Sequence, residues 1–499
     1  MSMLFTTQLF LFVFFPFVIL GYFLIRGLLS LNGVRRLSKR FPLDQVFLIG
    51  CSMCFYMWSL FDNGYRLFYY IVLVYGLGLW ISHIRAKGLY LTLYRSPAEQ
   101  KRVYLSFFPL WIGILLATFP LIYFNYSNFL IQSWNSLFGD SLPFKSLLTP
   151  LGISFITFSS ISYLTDIYRG QATAGSFLDC LFYLSFFPKV ISGPIVLWRD
   201  FQGQIGQRRS SLTLITDGIN RIMIGVVKKV ILADTFGACL AQISIHSMDQ
   251  ITAFGTLVLY MLQLYYDFAG YSDIAIGLAK ILGFEFRENF QFPYRSVSIS
   301  EFWRRWHISL GRWFKEYIYI SLGGSRNGKM RTLRNLALIF VLSGIWHGAG
   351  WNYILWGSVH ALCVVVERLI YDKKFYQKTP VAIKYLATMT IILLSWQLLR
   401  FQDLSDVGTV LNAVLGKGIN LPISFTWRYY YDVKMLSLTM IGIAGATVLG
   451  SQRVKSWYGA IVSTRLGYLL QELVLLVMFI IAILFMVNST YSPFIYFQY

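Results

Sequence analysis

Residues 343–350 read Ser-Gly-Ile-Trp-His-Gly-Ala-Gly and lie in the middle of an apolar run that begins near Leu336 and ends near Val366. The run of about 31 residues is too long for one simple membrane span and short for two complete spans. Three glycines weaken helix continuity around the histidine. The sequence therefore predicts a bent or broken pair of helices within residues 336–366.

Basic residues flank this run on both sides. They are Arg326, Lys329, Arg331 and Arg334 before it and Arg368, Lys373, Lys374 and Lys378 after it. If basic flanks mark the cytoplasmic side, the segment enters and returns to one face. Helical rise from Arg334 then places the imidazole of His347 about 20 Å into a bilayer about 30 Å thick.

A histidine at that depth has a predicted chemical role. Histidine titrates near neutrality and is costly to bury in hydrocarbon, so we expect His347 to act on a proton. Irregular backbone in a membrane is tolerated only where it is buried in protein or lines a cavity. We therefore expect a cavity around His347.

The composition identifies an integral membrane protein. The 499 residues are 56% hydrophobic with a mean hydropathy of +0.58, too apolar for a soluble enzyme. We expect an all-α polytopic fold with about 11 to 13 membrane segments, including re-entrant or broken ones. The longest polar connections, 198–220 and 402–433, are too short for a domain of the usual size, so residues 1–499 form one predicted membrane domain. The predicted spans are approximately 4–25, 44–61, 67–84, 104–125, 147–167, 178–197, 221–241, 252–283 with a candidate break at Gly270, 336–366 in two pieces, 382–399, 434–450 and 466–488.

The net charge of +21 is dispersed among short loops beside apolar spans. Membrane topology and anionic lipid account for that pattern better than nucleic acid, which we do not expect as a partner. Basic residues follow the first span, at Arg26, Arg35, Arg36, Lys39 and Arg40, which predicts an uncleaved anchor with its N-terminus outside. No His, Cys and carboxylate cluster has ligand spacing in the sequence, so no metal is expected.

A second notable histidine, His307, follows an unusual aromatic and basic stretch. Ser298 or Ser300 is the predicted N-cap of one helix that carries it. We expect this helix to lie at a membrane interface, where indoles sit at headgroup level and basic side chains extend to water. Taken alone, His307 is more often a hydrogen-bonded interface residue than a catalyst. The alternating residues are Trp303, Trp306, Trp313 and Tyr317 with Arg304, Arg305, Arg312 and Lys315.

These histidines suit acyl transfer. A neutral imidazole in an enclosed passage can accept a proton from an attacking hydroxyl and return it to a leaving group. Since no Gly-x-Ser-x-Gly elbow stands out, the sequence offers a base more clearly than a nucleophile. Trp346 and Asn352 are candidates for orienting the ring or lining the passage, and packing is an equally good interpretation of both.

Two carboxylates, Asp267 and Asp273, flank Gly270 and Tyr271. At a spacing of six they lie on different faces of a regular helix, unless the helix breaks at Gly270. Carboxylates in a membrane segment are usually paired, so we expect them to hold Arg304, Arg305 or a tyrosine in place.

An ordered set of motifs resembles the membrane-bound O-acyltransferase family, specifically its bacterial branch typified by alginate O-acetylation. The resemblance covers residues 145–370 well, the predicted catalytic core, and the N-terminal spans more loosely. The matching stretches are PLGISF at 150–155, DIYRG at 166–170, FPKVISGP at 187–194, DFAGYSD at 267–273, EFWRRWHISL at 301–310, LGGSR at 322–326 and WHGA at 346–349.

The resemblance implies a many-helix fold around a central tunnel, with His347 as the catalytic histidine and His307 as the second active-site histidine. It further implies an acetyltransferase in the bacterial cytoplasmic membrane, with acetyl-CoA as donor and no permanently bound cofactor. An extracytoplasmic SGNH-type, esterase-like partner would complete transfer to a polysaccharide. The residues expected to line the tunnel or position substrate are Trp346, Asn352, Trp306, Tyr271, Asp267, Asp273, Arg304 and Arg305.

Several alternatives stay open at the level of sequence. The motifs do not separate alginate from cellulose or peptidoglycan as acceptor, and D-alanyl transfer to teichoic acid belongs to a related branch. A secondary transporter or flippase also has broken helices and buried ionisable residues, although inverted repeats are not visible in the sequence. A scaffold would leave the deep His347 unexplained.

Overall fold

The computed structural model describes residues 3–30, 42–59, 61–88, 90–94, 100–147, 149–191, 193–208, 210–417 and 425–488. Four of the basic residues that predict the orientation of the first span, Arg35, Arg36, Lys39 and Arg40, lie outside these ranges. The described chain is helical apart from one antiparallel hairpin, β1 (Tyr90–Tyr94) paired with β2 (Gln100–Tyr104).

The described chain forms two compact units. The first contains residues 1–219 and 275–287, and the second contains residues 220–274 and 288–499. The helices up to the boundary are α1 (Phe15–Ser30, after a π-helical turn Phe10–Phe14), α2 (Leu43–Ser59), α3 (Phe61–Ala86), α4 (Phe107–Phe138), α5 (Ile153–Arg169), α6 (Phe177–Ser185), α7 (Phe187–Val190), α8 (Trp198–Ile205) and α9 (Leu212–Val227).

The chain continues with a π-helical turn (Lys228–Ala233) and α10 (Asp234–Gln242) into the long helix α11 (Gln250–Ile281), whose last residues return to the first unit. The later elements are a 3-10 turn (Pro293–Arg295), α12 (Ile299–Arg305), α13 (Ile308–Phe314), a π-helical turn (Lys315–Tyr319), α14 (Lys329–His347), α15 (Trp351–Ile370), α16 (Lys374–Lys378), α17 (Val381–Ser395), α18 (Gln397–Arg400), α19 (Leu404–Val414), α20 (Trp427–Tyr430), α21 (Val433–Ala446), a 3-10 turn (Val448–Gly450), α22 (Gln452–Val462) and α23 (Arg465–Asn488).

Seven of the described helices are long and apolar enough to cross a membrane. Their apolar side chains are largely exposed, as in the last of them, where 6% of the most apolar window is buried within the protein. Lipid is the solvent that such faces require. The predicted all-α polytopic class is therefore confirmed. The seven segments are Phe10–Leu29, Gly64–Ala86, Phe107–Phe138, Trp351–Ile370, Val381–Arg400, Val433–Gly450 and Arg465–Asn488.

Aromatic packing and one buried cation characterise the first unit. The rings of Phe201 and Phe284 stack with centroids 4.9 Å apart and planes within 7°. The buried ammonium of Lys189 donates to Ser159 Oγ at 2.8 Å and lies 3.9 Å from the ring centroid of Tyr183. A cation–π contact and a hydroxyl thus replace part of the hydration that Lys189 loses.

In the second unit the apolar run 336–366 forms two helices, as predicted. Helix α14 ends at His347 and α15 begins at Trp351. The two helices approach most closely at a pair of glycines: a Cβ on Gly344 would lie 3.0 Å from Gly357 Cα, and a Cβ on Gly357 would lie 2.5 Å from the Phe340 carbonyl oxygen. Glycine at these two positions therefore permits backbone contact between the helices that carry the histidine.

Helix α11 runs unbroken through Gly270, so the candidate break there does not occur. A Cβ on Gly270 would lie 2.8 Å from the carbonyl oxygen of Gly225 on α9, and a Cβ on Gly225 would lie 2.6 Å from that of Gly270. Gly270 serves close helix packing, because a glycine inside a helix is tolerated where a neighbouring backbone needs the space.

The aromatic and basic stretch after Ser298 differs from the prediction. Ser298 is the N-cap, accepting a hydrogen bond from Glu301 N at 3.1 Å, as expected. The predicted single interfacial helix is wrong, because the chain breaks at His307 into α12 and α13. Trp306 and Trp313 are each only 3% exposed, so these indoles pack inside the protein and not at the headgroups.

The glycine contact between α14 and α15 generates a stability prediction. Gly344→Ala places a methyl group against the Tyr353 carbonyl and Gly357, so it should lower the free energy of unfolding by roughly 1–3 kcal/mol. Gly408→Ala in α19 is the control: a Cβ there meets nothing within 4 Å, and alanine is the better helix former. Thermal unfolding of the detergent-solubilised proteins compares them. Equal melting temperatures for the two variants would contradict the proposed contact.

Candidate functional site

A cavity of about 320 Å³ lies among α12, α13, the following π-helical turn and α14, all in the second unit. Its lining is mainly apolar, with His307 and Ser343 as polar members and Lys315 as a cationic one. A mostly apolar pocket with a few polar groups is the usual form of a small-molecule site. The sequence predicts a cavity around His347, and this cavity is lined by His307 instead. Ser343, one helical turn before His347, contributes to its lining, and His347 itself does not.

His307 joins α12 to α13 in a left-handed backbone conformation, with φ of 47° and ψ of 52°. Such a conformation is uncommon for a residue with a Cβ and is concentrated at functional sites. The side chain is 2% exposed, and its Nδ1 lies 3.1 Å from Asn289 Oδ1. Its other nitrogen, Nε2, is buried without a hydrogen-bond partner among the described residues.

His347 ends α14 and is 9% exposed. Its ring contacts Trp346, at a centroid distance of 4.6 Å, and meets Trp356 edge-on at 4.8 Å. The Trp346 ring also lies 6.2 Å from the ring of His307. The structure thus brings the two sequence-predicted histidines together, with both rings close to the ring of Trp346.

Burial also controls the ionisation of His307. Its pKa lies well below the ordinary value of an imidazole, first because the ring is desolvated and second because His347 lies nearby. His307 is therefore neutral at physiological pH, which is the form that can accept a proton.

A third histidine, His360, has a complete set of hydrogen bonds. Trp303 Nε1 donates to its Nδ1 at 3.3 Å, so the imidazole proton is on Nε2, which lies 3.1 Å from Ser395 Oγ. Ser395 in turn donates to the Ile392 carbonyl at 3.1 Å. This chain of bonds connects α12, α15 and α17 and gives His360 a structural role.

Asn352 and Trp306 have contacts that suit packing. The Asn352 amide nitrogen donates to the carbonyls of Leu398 and Phe401 at 3.0 and 2.8 Å, which satisfies the end of α18. Trp306 lines the cavity and also packs against Phe290 and Trp396, with centroids 5.0 and 5.1 Å away.

Asp267 belongs to a buried ion-pair group. Lys229, 1% exposed at the side chain, lies 2.8 Å from Asp267 and also contacts Asp234. The same ammonium lies 5.9 Å from the ring centroid of Tyr271, which is fully buried. Asp267 thus pairs with a lysine from the π-helical turn, and the arginine partner expected from the sequence is wrong.

Asp273 has its own pair of cations. Arg221 and Lys228 each lie 2.6 Å from its carboxylate, and Arg221 also contacts Glu288. Because α11 is unbroken, Asp267 and Asp273 face different parts of the neighbouring helix, and consecutive lysines of one π-helical turn reach both. A π-helical turn shifts side-chain directions in this way.

Arg304 and Arg305 lie elsewhere. Arg305 pairs with Glu301 on the same short helix at 2.8 Å, and Arg304 is exposed. The ion pair follows from the spacing of four residues on a helix, which was readable in the sequence.

Sequence reasoning missed three contributors to this region: Asn289, Trp356 and Lys229. Trp356 follows His347 by nine residues and lies on the returning helix α15. Its position on that helix predicts a contact with α14 only when the point at which the two helices cross is known. Lys229 stands in a pair of lysines inside an apolar segment, a signal that could have been used because buried cations need partners. Asn289 had no distinguishing pattern.

Comparison with known proteins agrees with the family that the sequence motifs resemble. The family model described as "MBOAT, membrane-bound O-acyltransferase family" matches residues 1–383. The chain is 33% identical over the whole of both chains to a protein of Pseudomonas putida named "Probable alginate O-acetylase AlgI". It is 31% identical to a "Peptidoglycan O-acetyltransferase" of Helicobacter pylori, over 84% of this chain and 81% of that one. A "Teichoic acid D-alanyltransferase" of Streptococcus thermophilus is 32% identical over 56% of this chain and 68% of its own.

The buried group around Lys229 predicts a large loss of stability on substitution. Lys229→Met leaves Asp234 and Asp267 without their cation and should cost about 3–5 kcal/mol of unfolding free energy. Lys280→Met is the control, since its pair with Asp217 is 31% and 52% exposed and should contribute less than about 1 kcal/mol. Thermal unfolding in detergent separates the two. A Lys229→Met protein as stable as Lys280→Met would show that the buried group is not structural.

Proposed function

The chain belongs to the membrane-bound O-acyltransferase family, and we propose that it takes acetyl from cytoplasmic acetyl-CoA and passes it across the bacterial cytoplasmic membrane to O-acetylate a polysaccharide. One observation carries the proposal. The rings of two buried histidines both lie close to the ring of Trp346, and His307, whose Nε2 has no hydrogen-bond partner among the described residues, lines a cavity that can accept an acyl group.

The chemistry needs a base and an enclosed space. The hydroxyl oxygen of an acceptor attacks the carbonyl carbon of the acetyl thioester, and the hydroxyl proton moves to an imidazole nitrogen. The carbon–sulfur bond breaks, and the imidazolium returns the proton to the departing sulfur, so the histidine is regenerated. His307 is suited to this proton transfer because it is neutral, and His347 is the second member of the catalytic pair.

Acetyl-CoA is the donor that we propose on chemical grounds. Its phosphates should not cross a bilayer, whereas its acetyl thioester end is small enough for an apolar cavity. Lys315 borders the same cavity and is exposed, where a cation can attract an anionic donor. The acetyl group, now esterified to the attacking hydroxyl of its acceptor, would then leave on the other side, where an esterase-like partner completes transfer to the polymer.

Alginate or a similar exopolysaccharide is the acceptor that we favour. The relatives named for alginate O-acetylation are 33–35% identical and include one matched over both full lengths. The relative named for peptidoglycan is 31% identical over less of the chain. Peptidoglycan is therefore the second candidate, and mass spectrometry of acetylated sugars from the producing cell distinguishes the two.

Substitution of the two histidines tests the catalytic assignment. His347→Ala and His307→Ala should each abolish acetyl ester on the secreted polymer, because one variant loses the proposed base and the other loses the second member of the catalytic pair, while the protein still accumulates in the membrane. Alkaline release of acetate measures the ester. His246→Ala is the matched control, since His246 is an exposed histidine in the same unit. Normal ester content in both catalytic variants would contradict the proposal.

The sidedness of the donor site can be measured in membrane vesicles. Radiolabelled acetyl-CoA added to inside-out vesicles should be consumed, with release of free CoA that requires His347. Right-side-out vesicles should not consume it, because the donor cannot reach the cytoplasmic face. Equal consumption in both orientations, or consumption by the His347→Ala protein, would refute a cytoplasmic acetyl-CoA site.

A further inference from the structure

We infer that Asn289 is a positioning residue for acyl transfer: it holds His307 with the proton on Nδ1 and directs the lone pair of Nε2 at the cavity. The inference rests on the proposed function, in which His307 handles a proton. It adds a residue outside the recognised motifs and assigns a definite tautomer to the histidine. Four sets of contacts support it.

The orientation of the Asn289 amide is fixed by its neighbours. The backbone N–H of Ser309 lies 3.2 Å from Asn289 Oδ1, and Ser309 Oγ lies 2.9 Å from the same atom. A backbone N–H can only donate, so the atom that it contacts is the amide oxygen. On the other side, Asn289 Nδ2 donates to Ser272 Oγ at 3.1 Å. The amide is therefore held at both ends.

That orientation decides the tautomer of His307. Asn289 Oδ1 is an acceptor and lies 3.1 Å from His307 Nδ1, so Nδ1 carries the imidazole proton and donates it. A neutral imidazole has one N–H, which leaves Nε2 with a lone pair. Nε2 is buried without a hydrogen-bond partner among the described residues, and His307 lines the cavity. An unpaired buried acceptor is costly, and it suits a site where a substrate hydroxyl supplies the missing donor.

The backbone around the pair is fixed by two further hydrogen bonds. Ile308 N donates to the Asn289 carbonyl at 3.0 Å, and Gln291 N donates to the Arg305 carbonyl at 3.0 Å. The segment 289–291 thus lies beside the break between α12 and α13. These bonds hold His307 in its left-handed conformation, which is otherwise unfavourable for a residue with a side chain.

Aromatic side chains restrict the ring further. Phe268 meets the His307 ring edge-on with centroids 4.6 Å apart, and Trp346 lies 6.2 Å away. Among the described residues, the titratable and charged groups that bear on His307 are His347, whose protonated form would repel a proton on His307, and Lys315 and Tyr319, which line the same cavity. Because Asn289 is uncharged, it orients His307 and stabilises the imidazolium form less than a carboxylate would.

The inferred role concerns one proton. As the carbon–oxygen bond forms, the proton of the attacking hydroxyl goes to His307 Nε2, and Nδ1–H stays bonded to Asn289. As the carbon–sulfur bond of the thioester breaks, the same proton goes from Nε2 to the sulfur. A ring with the opposite tautomer would present an N–H to the hydroxyl and could not begin this sequence.

Two variants of Asn289 separate positioning from simple packing. Asn289→Asp keeps the acceptor for Nδ1–H but adds a negative charge, which should raise the pKa of His307 and move the acidic limb of the pH profile of kcat to higher pH. Asn289→Leu removes the acceptor and should lower kcat by at least about tenfold with little change in KM for acetyl-CoA. Acetyl transfer is measured per amount of folded protein in reconstituted vesicles.

Asn335 provides a matched control. It is fully buried, and its Nδ2 donates to the carbonyls of Leu322 and Gly324, while its contacts include no histidine. Asn335→Asp and Asn335→Leu should change the amount of folded protein but leave the pH profile of the remaining enzyme at that of the wild type. An unshifted profile in Asn289→Asp, or an equal shift in Asn335→Asp, would overturn the inference.

The tautomer can be read without activity. Nitrogen-15 NMR of histidine-labelled protein distinguishes Nδ1–H from Nε2–H, and the signal lost in His307→Gln identifies the residue. The Nδ1–H form is expected in the wild-type protein, and the Nε2–H form would overturn the inference. If the wild-type protein itself transfers no acetyl group, the proposed function fails. If it transfers acetyl but the Asn289 variants behave like their controls, only the positioning role fails.

Discussion

A polar side chain buried among apolar helices must find its hydrogen-bond partners inside the protein, and the site depends on how this constraint is met. Lys229 meets it with two carboxylates, and His360 meets it with an indole and a hydroxyl. Asn289 meets it at both ends of its amide. His307 Nε2 is the exception among these groups, and His307 lines the cavity. An unpaired acceptor on a residue that lines a cavity is where we expect a substrate hydroxyl to bind.

Close backbone contact holds these groups in place. Gly344 and Gly357 let the helices that flank the break after His347 touch, and Gly270 and Gly225 do the same for the helices that carry the buried ion pairs. Large aromatic rings fill the rest, with Trp356 packed against the rings of both His347 and His360. Because such close-packed surroundings leave little freedom for a side chain, the histidines are preorganised and need not be ordered when substrate arrives.

The chain belongs to an acyltransferase family, which gives the paired histidines a catalytic role. This assignment replaces the transporter and scaffold interpretations of the sequence. Buried carboxylates are common to transporters and enzymes, so Asp267 and Asp273 by themselves did not discriminate. Their ion pairs with Lys229, Lys228 and Arg221 assign them to the framework beneath the site. The catalytic proposal consequently rests on His307 and His347, and it does not require a charged group in the reaction.

The sequence by itself determined the membrane class, the broken run at 336–366, an N-cap at Ser298 or Ser300 and the family, because these follow from hydropathy, local hydrogen bonding and ordered motifs. It did not determine that His307 interrupts a helix, that α11 continues through Gly270, or that Asp267 pairs with Lys229. Each of these depends on which helix lies opposite. Contacts also form between residues 18 to 49 positions apart in the chain, such as Asn289 with His307 or Asn352 with Phe401, and these residues meet only in the folded protein. Local patterns name the residues that can do chemistry, and tertiary packing decides which of their atoms are left free to do it.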